Sequence, residues 1–355
     1  MSREIQQSNK APRHHNDNFE SDKRFIETVA ELRILRFLRK IYFFLDKRSA
    51  YRMIDIGKPG SYKPLCDRNI ENVSNLIYDM LQTDKPCMIA RFGNTEMSVL
   101  ANQYEIQLGN QDGIRGVLDY IQGKRVGWWI DKGWWTNIQN LSGFYPVTQE
   151  NIIRFYNLML EDMKEVDILA SWIKSEQYFD EYLEFSYKIA LMFEQLYIAE
   201  HPWTKALEGK KVLIIHPFTS TIKKQYEKRQ FIWKNQDTLP DFDLQVVKAV
   251  QSIGNNHSAF SSWFDALDFM KAEIEKHDFD ICLLGCGAYG FPLAAHVKRL
   301  GKKAVHIGGA LQLLFGIKGR RWDREFSSIY NDAWVRPEEN EKPRNANSVE
   351  GGCYW

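Results

Sequence analysis

From about Ser21 to Asp46, apolar residues recur at every third or fourth position: Phe25, Val29, Leu32, Leu35, Leu38, Ile41 and Leu45. That period predicts an amphipathic helix, with Ser21 or Asp22 as its N-cap. Arg33, Arg36, Arg39 and Lys40 crowd another face, and Lys47 and Arg48 follow. Such a helix either packs on its own domain with a solvated basic face or lies on an anionic membrane surface. Residues 1–20 are polar and aperiodic and read as a disordered tail. The Gly/Pro/Ser-rich run GKPGSYKPL (57–65) reads as a linker.

Beyond the linker, the pattern alternates between helical periods and short apolar runs. Helices are predicted at 70–82, from about Thr95, and at 150–164, 176–200, 220–234, 262–276 and 291–300. Strands are predicted at Cys87–Arg91, Arg125–Ile130, Lys211–His216, 244–250, Asp280–Gly285 and 303–307. Alternation of this kind predicts an α/β fold: a Rossmann-like, mostly parallel sheet flanked by helices, with an added N-terminal amphipathic helix. The expected division is a tail (1–20), a basic helix and linker (21–65) and one large domain (66–355). Strand ends of such a sheet gather at one edge, where ligands bind.

Composition narrows the function. The 47 basic and 46 acidic residues nearly cancel, which argues against a nucleic-acid partner. Basic clusters at 33–48, 223–229 and 318–321 suit phosphates or a lipid surface instead. Aromatic residues are abundant (11 Trp, 16 Tyr, 21 Phe), enough to line a carbohydrate or nucleoside site as well as a core. Five scattered cysteines show neither metal-ligand spacing nor a disulfide framework, consistent with reduced thiols. The first residues lack the apolar core of a signal peptide, and no apolar run is long enough to span a membrane. The expected location is cytoplasmic, with peripheral contact at the inner membrane face through residues 21–48.

Four segments carry candidate chemistry. In Ile89-Ala90-Arg91-Phe92-Gly93-Asn94-Thr95-Glu96, a strand delivers Arg91 and Glu96 to its carboxyl end. Gly93 allows a sharp or left-handed turn, and the helix start that follows can cradle phosphate. Asn94 or Thr95 can equally be only the helix cap. Gly285, Gly287 and Gly290 spell G-x-G-x-x-G around Cys286 and Tyr289, after a strand and before a helix. No acidic residue follows about 20 positions on, so phosphate contact is favoured over NAD, and Cys286 reads as an inert thiol. Gly308-Gly309 repeats the strand–glycine–helix theme and leads to Lys318, Arg320, Arg321 and Trp322, a set suited to a diphosphate and a stacked ring. His216-Pro217-Phe218 ends another strand at the same edge. The ending Gly351-Gly352-Cys353-Tyr354-Trp355 carries two aromatics and is expected to dock.

Together these segments resemble the GT-D-type glycosyltransferases, a Rossmann-like family with an Asp-x-Glu motif after an R-F-G-like strand end. The resemblance runs through Arg91–Glu96, Lys211–Phe218, Gly285–Pro292, Gly308–Trp322 and Val349–Trp355, covering most of residues 70–355. It implies a glycosyltransferase that moves sugar from a nucleotide-diphosphate donor to an acceptor hydroxyl, in bacterial surface polysaccharide or glycoprotein assembly. The acceptor would be a glycan, a lipid-linked glycan or a glycoprotein. Asn94 replaces the family's first acid, so the implied Mn²⁺ or Mg²⁺ would rest on Glu96, Asn94 and the donor's phosphates. Catalytic roles fall to Glu96, Asn94 and His216, with Asp131 a further candidate base. Donor contacts fall to Arg91, Gly93, Gly285, Gly287, Tyr289, Gly290, Gly308, Gly309, Lys318, Arg320 and Arg321. The rival readings are a non-catalytic nucleotide-sugar-binding subunit and a Rossmann-like methyltransferase or dehydrogenase.

Overall fold

A computed structural model describes residues 32–45, 65–255, 259–343, 345–348 and 351–355. The predicted tail, the start of the basic helix and nearly all of the linker lie outside these residues. The chain divides into two compact units. One contains helix α1 (32–45) and residues 110–125, with α4 (Ile114–Ile121). The expected boundary at 65 therefore misses the second segment of this unit.

The larger unit is built on a seven-stranded, wholly parallel sheet. Its strands are β1 (Cys87–Ala90), β2 (Ile168–Ser171), β3 (Tyr187–Ala190), β4 (Lys211–His216), β5 (Asp243–Lys248), β6 (Ile281–Leu284) and β7 (Lys303–His306), in the order β3-β2-β1-β7-β6-β4-β5. The connection leaving β6 heads toward β7, whereas that leaving β4 heads outward to β5. Their loops therefore diverge above the β4–β6 pair, the kind of place where open α/β sheets bind ligands.

The continuous apolar runs of these strands follow from burial on both sides. Cys87 and Ile89 of β1, Val212 and Ile214 of β4, and Ile281 and Leu283 of β6 enter one core cluster. Their neighbours Met88, Ala90, Leu213, Ile215, Cys282 and Leu284 enter another. A period of two thus splits each strand between two cores. Flanking helices follow the predicted ones closely: α2 (Ile70–Gln82), α3 (Asn94–Leu108), α6 (Gln149–Met163), α9 (Trp263–Glu275) and α10 (Gly290–Arg299). The Asn69, Thr148 and Ser262 side chains cap α2, α6 and α9 respectively. Helix α5 (Lys132–Ser142) and the short α7 (Phe193–Leu196) and α11 (Leu311–Leu314) add to this set.

Three sequence expectations differ from the structure. Residues 125–130 form no strand; the Gly127 and Trp129 carbonyls instead accept hydrogen bonds from Asn102 Nδ2, both at 2.8 Å. The predicted helix over 176–200 is interrupted by β3, and β2 precedes it unforeseen. The predicted helix at 220–234 is shorter, α8 (Thr219–Tyr226), followed by a 3₁₀ turn at Arg229–Phe231. Glu341, from far along the chain, accepts from the Ser220 and Thr221 amides at 2.7 and 3.2 Å and from the Thr221 hydroxyl. An internal carboxylate thereby satisfies the start of α8.

Candidate functional site

Five neighbouring strands, β2, β1, β7, β6 and β4, end around one cleft of about 240 Å³. Along this edge they contribute Trp172, Arg91, His306 with Gly308, Gly285 and His216. Of the predicted residues, Arg91, Gly93, Asn94, Glu96, His216, Gly285, Gly287, Tyr289, Gly308, Gly309 and Arg321 line it. Gly290, Lys318, Arg320 and Asp131 do not. Lys318 lies over the Tyr330 ring, Arg320 donates to the Gly351 carbonyl, and Asp131 caps α5. Trp322 is buried, its indole donating to Glu194, and the aromatics of 128–135 stay out of the cleft lining. Lys224 and Arg229 of the 223–229 cluster pair with Glu338 and Asp241.

Arg91 is the dominant cation. Its guanidinium lies 5.2 Å from the centre of the Trp172 ring, a cation–π distance. Among the described residues it forms no ion pair, and its buried Nε lacks a partner. Trp172 is fixed in turn: its indole donates to the Phe92 carbonyl at 3.0 Å. Its amide and that of Ile173 donate to Glu176 Oε1 at 3.2 and 3.1 Å, and the Ser171 hydroxyl donates to the same carboxylate. Glu176 thus ties the β2 loop into the shape that sets a ring over Arg91.

Glu96 is buried at the start of α3. Burial raises its pKa; its own backbone N–H, Arg91 and the Ser142 hydroxyl pull the other way. Gly93 leaves room here for the Glu96 carboxylate. Its φ of −77° is not left-handed, as the sequence had allowed, but a Cβ would fall 1.8 Å from Glu96 Oε2. Gly93 supplies no side-chain cap to α3; the Glu96 amide is taken by its own carboxylate, and Asn94 and Thr95 line the cleft beside it.

Two buried histidines form part of the lining. His216 Nδ1 accepts the Phe218 amide at 3.0 Å, which leaves the proton of the neutral ring on Nε2. Burial depresses its pKa to about 3. His216 is accordingly a neutral donor, and the geometry does not favour the general-base role expected of it. His306 has the opposite tautomer: Nδ1–H donates to the Leu284 carbonyl at 3.4 Å. Burial, then Arg91, lowers its pKa to about 3 as well. A Cβ at Gly290 would lie 2.2 Å from His306 Cε1, so the third glycine of the G-x-G-x-x-G run makes room for this ring. Gly290→Ala is expected to lower stability by about 1–3 kcal/mol through that overlap, as read by denaturant unfolding. An unchanged midpoint would show that the ring moves aside freely.

The remaining lining explains other signals. Tyr289 stacks on Trp263 at 5.1 Å and 8°, and its hydroxyl lies 3.0 Å from Ser252 Oγ. Cys286 is buried, and burial pushes its thiol pKa far up, in keeping with an inert group. The chain end docks as expected: the Tyr354 carbonyl accepts from Gln312 Nε2 at 3.2 Å, and Tyr354 and Trp355 both line the cleft. Trp172, Ser142, His306, Tyr354 and Trp355 are site residues that the motif reading passed over.

As metal donors, the cleft offers the Glu96 carboxylate and the Asn94 amide oxygen. Among the described residues no group of three or more His, Cys, Asp or Glu gathers there. A hard cation needs more oxygens than these two supply, and Arg91 competes beside them. The set suits an ion carried in on a diphosphate rather than one resident in the free protein. Comparison with protein-family models, with curated proteins and with solved structures returns no match.

Proposed function

We propose that the chain is a GT-D-type glycosyltransferase that transfers a sugar from a nucleotide-diphosphate donor to an acceptor hydroxyl, in bacterial surface polysaccharide or glycoprotein assembly. The observation that carries this reading is Arg91, a cation without an ion pair among the described residues, set in the same cleft lining as the first residues of α3. A diphosphate there meets both a guanidinium and amide donors, which would stabilise the charge that develops as the sugar–phosphate bond breaks. His216 Nε2–H offers a further neutral donor. Glu96, beside Arg91 in the cleft lining, would position the metal or the donor sugar. Trp172 and Tyr354 supply ring faces for base or sugar. Mn²⁺ or Mg²⁺ would neutralise phosphate charge when bound, held by Glu96, Asn94 and the phosphates themselves.

The low basicity of both histidines favours one second reading, a nucleotide-sugar-binding subunit without turnover. A panel of nucleotide sugars, followed by thermal shift and by turnover, separates the two. At least one donor is expected to raise the melting temperature, with less than about tenfold loss of affinity in EDTA, because Arg91 rather than a metal carries most of the charge. Binding with turnover supports the enzyme, and binding alone supports the subunit. No binding across the panel would overturn both.

A further inference from the structure

The unit formed by α1 and residues 110–125 carries a surface that the cleft chemistry does not use. One side of α1 is partly covered. From it, Arg39 Nη1 donates to the Tyr120 and Arg125 carbonyls at 2.9 and 3.1 Å, with its guanidinium 4.5 Å from the centre of the Tyr120 ring. Leu32, Leu35, Tyr42 and Phe43 share this covered side. On the opposite side lie Ile34, Phe37, Leu38, Ile41, Phe44 and Leu45, all exposed; Phe37 is 63%, Leu45 73% and Phe44 84% accessible. Spacings of three and four place them on one stripe. Arg33, Arg36 and Lys40 are exposed along one border of that stripe, and residues 32–45 contain no acid.

We propose that this face docks in the plane of an anionic lipid bilayer. The apolar stripe enters the boundary between headgroups and acyl chains, while the exposed Arg33 and Lys40 meet lipid phosphates. Charge decides among the occupants of such a face. A second copy would bring the same run of cations, Arg33, Arg36 and Lys40, against it, and the like charges would oppose pairing. A bilayer satisfies both halves of the surface at once, the aromatic and aliphatic stripe as well as the basic border. The proposal is independent of the reaction assigned to the cleft.

Co-sedimentation of the full chain with vesicles tests it. Binding to phosphatidylcholine vesicles containing about a third phosphatidylglycerol is expected to exceed binding to pure phosphatidylcholine by at least about tenfold, and to weaken in high salt. Phe37→Glu with Phe44→Glu should abolish binding, since both side chains already face solvent and the fold does not need them. Reversing Arg33 and Lys40 to Glu should remove the preference for anionic vesicles. Sedimentation velocity on the same proteins checks the rival occupant. No vesicle binding by the parent, equal binding by parent and variants, or a parent dimer that Phe37→Glu dissociates would each overturn the proposal.

Discussion

Arg91→Gln is expected to weaken nucleotide-diphosphate binding by roughly thirtyfold, about 2 kcal/mol, the scale of a hydrogen bond to a charged group. The same change should leave the free protein at least as stable as the parent. Both expectations have one source. In the free protein the guanidinium is partly buried without an ion pair among the described residues, and its Nε has no partner, so it is held at a cost. A diphosphate removes that cost by accepting from it. Arg91→Lys should recover only part of the affinity, because an ammonium cannot reproduce the planar fork or the stacking on Trp172. Titration calorimetry with a nucleoside diphosphate and thermal unfolding without ligand are the paired measurements. A large loss of stability with unchanged affinity would make Arg91 a structural residue and remove the main support for the proposed function.

Glu176→Gln is expected to change the pH dependence of stability more than its value in acid. Burial raises the Glu176 pKa from 4.5 to about 7. Between those values the folded chain keeps a proton that the unfolded chain releases, so this group lowers stability as pH rises through the window. The full contribution is about 3 kcal/mol. Gln reproduces the protonated form: its oxygen can accept from the Trp172 and Ile173 amides, and its NH₂ can donate to Ser171. Variant and parent should therefore be equally stable near pH 4, and the variant more stable above pH 7. Asp162, raised to about 6, slopes the same way, and the two cleft histidines, depressed from 6.5 to about 3, lose stability on acidification. All three are common to both proteins and cancel in the difference. Parallel curves from urea unfolding at several pH values would refute the assignment.

The sequence made the sheet's alternation legible wherever a strand was an unbroken apolar run closed by glycine or proline, as at Cys87–Ala90, Lys211–His216 and Ile281–Leu284. It misled at 125–130, where an apolar run is held by a side chain, Asn102, that supplies the donors a neighbouring strand would have supplied. The short β2 and β3 carried too few residues to outweigh the helical period around them. Arg91, Glu96 and the glycine turns could be placed at the cleft because each sits where a strand ends. Trp172, His306 and Tyr354 had no local mark; they belong to the site only because parallel strands distant in sequence finish side by side. Roles were harder to read than places. Whether His216 accepts or donates depends on an amide two residues away whose direction the sequence does not specify.

The Glu341 carboxylate at the start of α8 bears on how a ligand enters. At one sheet edge, two helix starts, those of α3 and α8, could have competed for the same phosphate. A tethered anion has already won at α8, at an effective concentration no free ligand reaches. Of these two helix starts, the one on the β1 side, beside Arg91, is the one left to a ligand's phosphates. A bound nucleotide sugar would have its direction chosen before contact, with the phosphates drawn toward Arg91 and the rest of the molecule left to the β4 side.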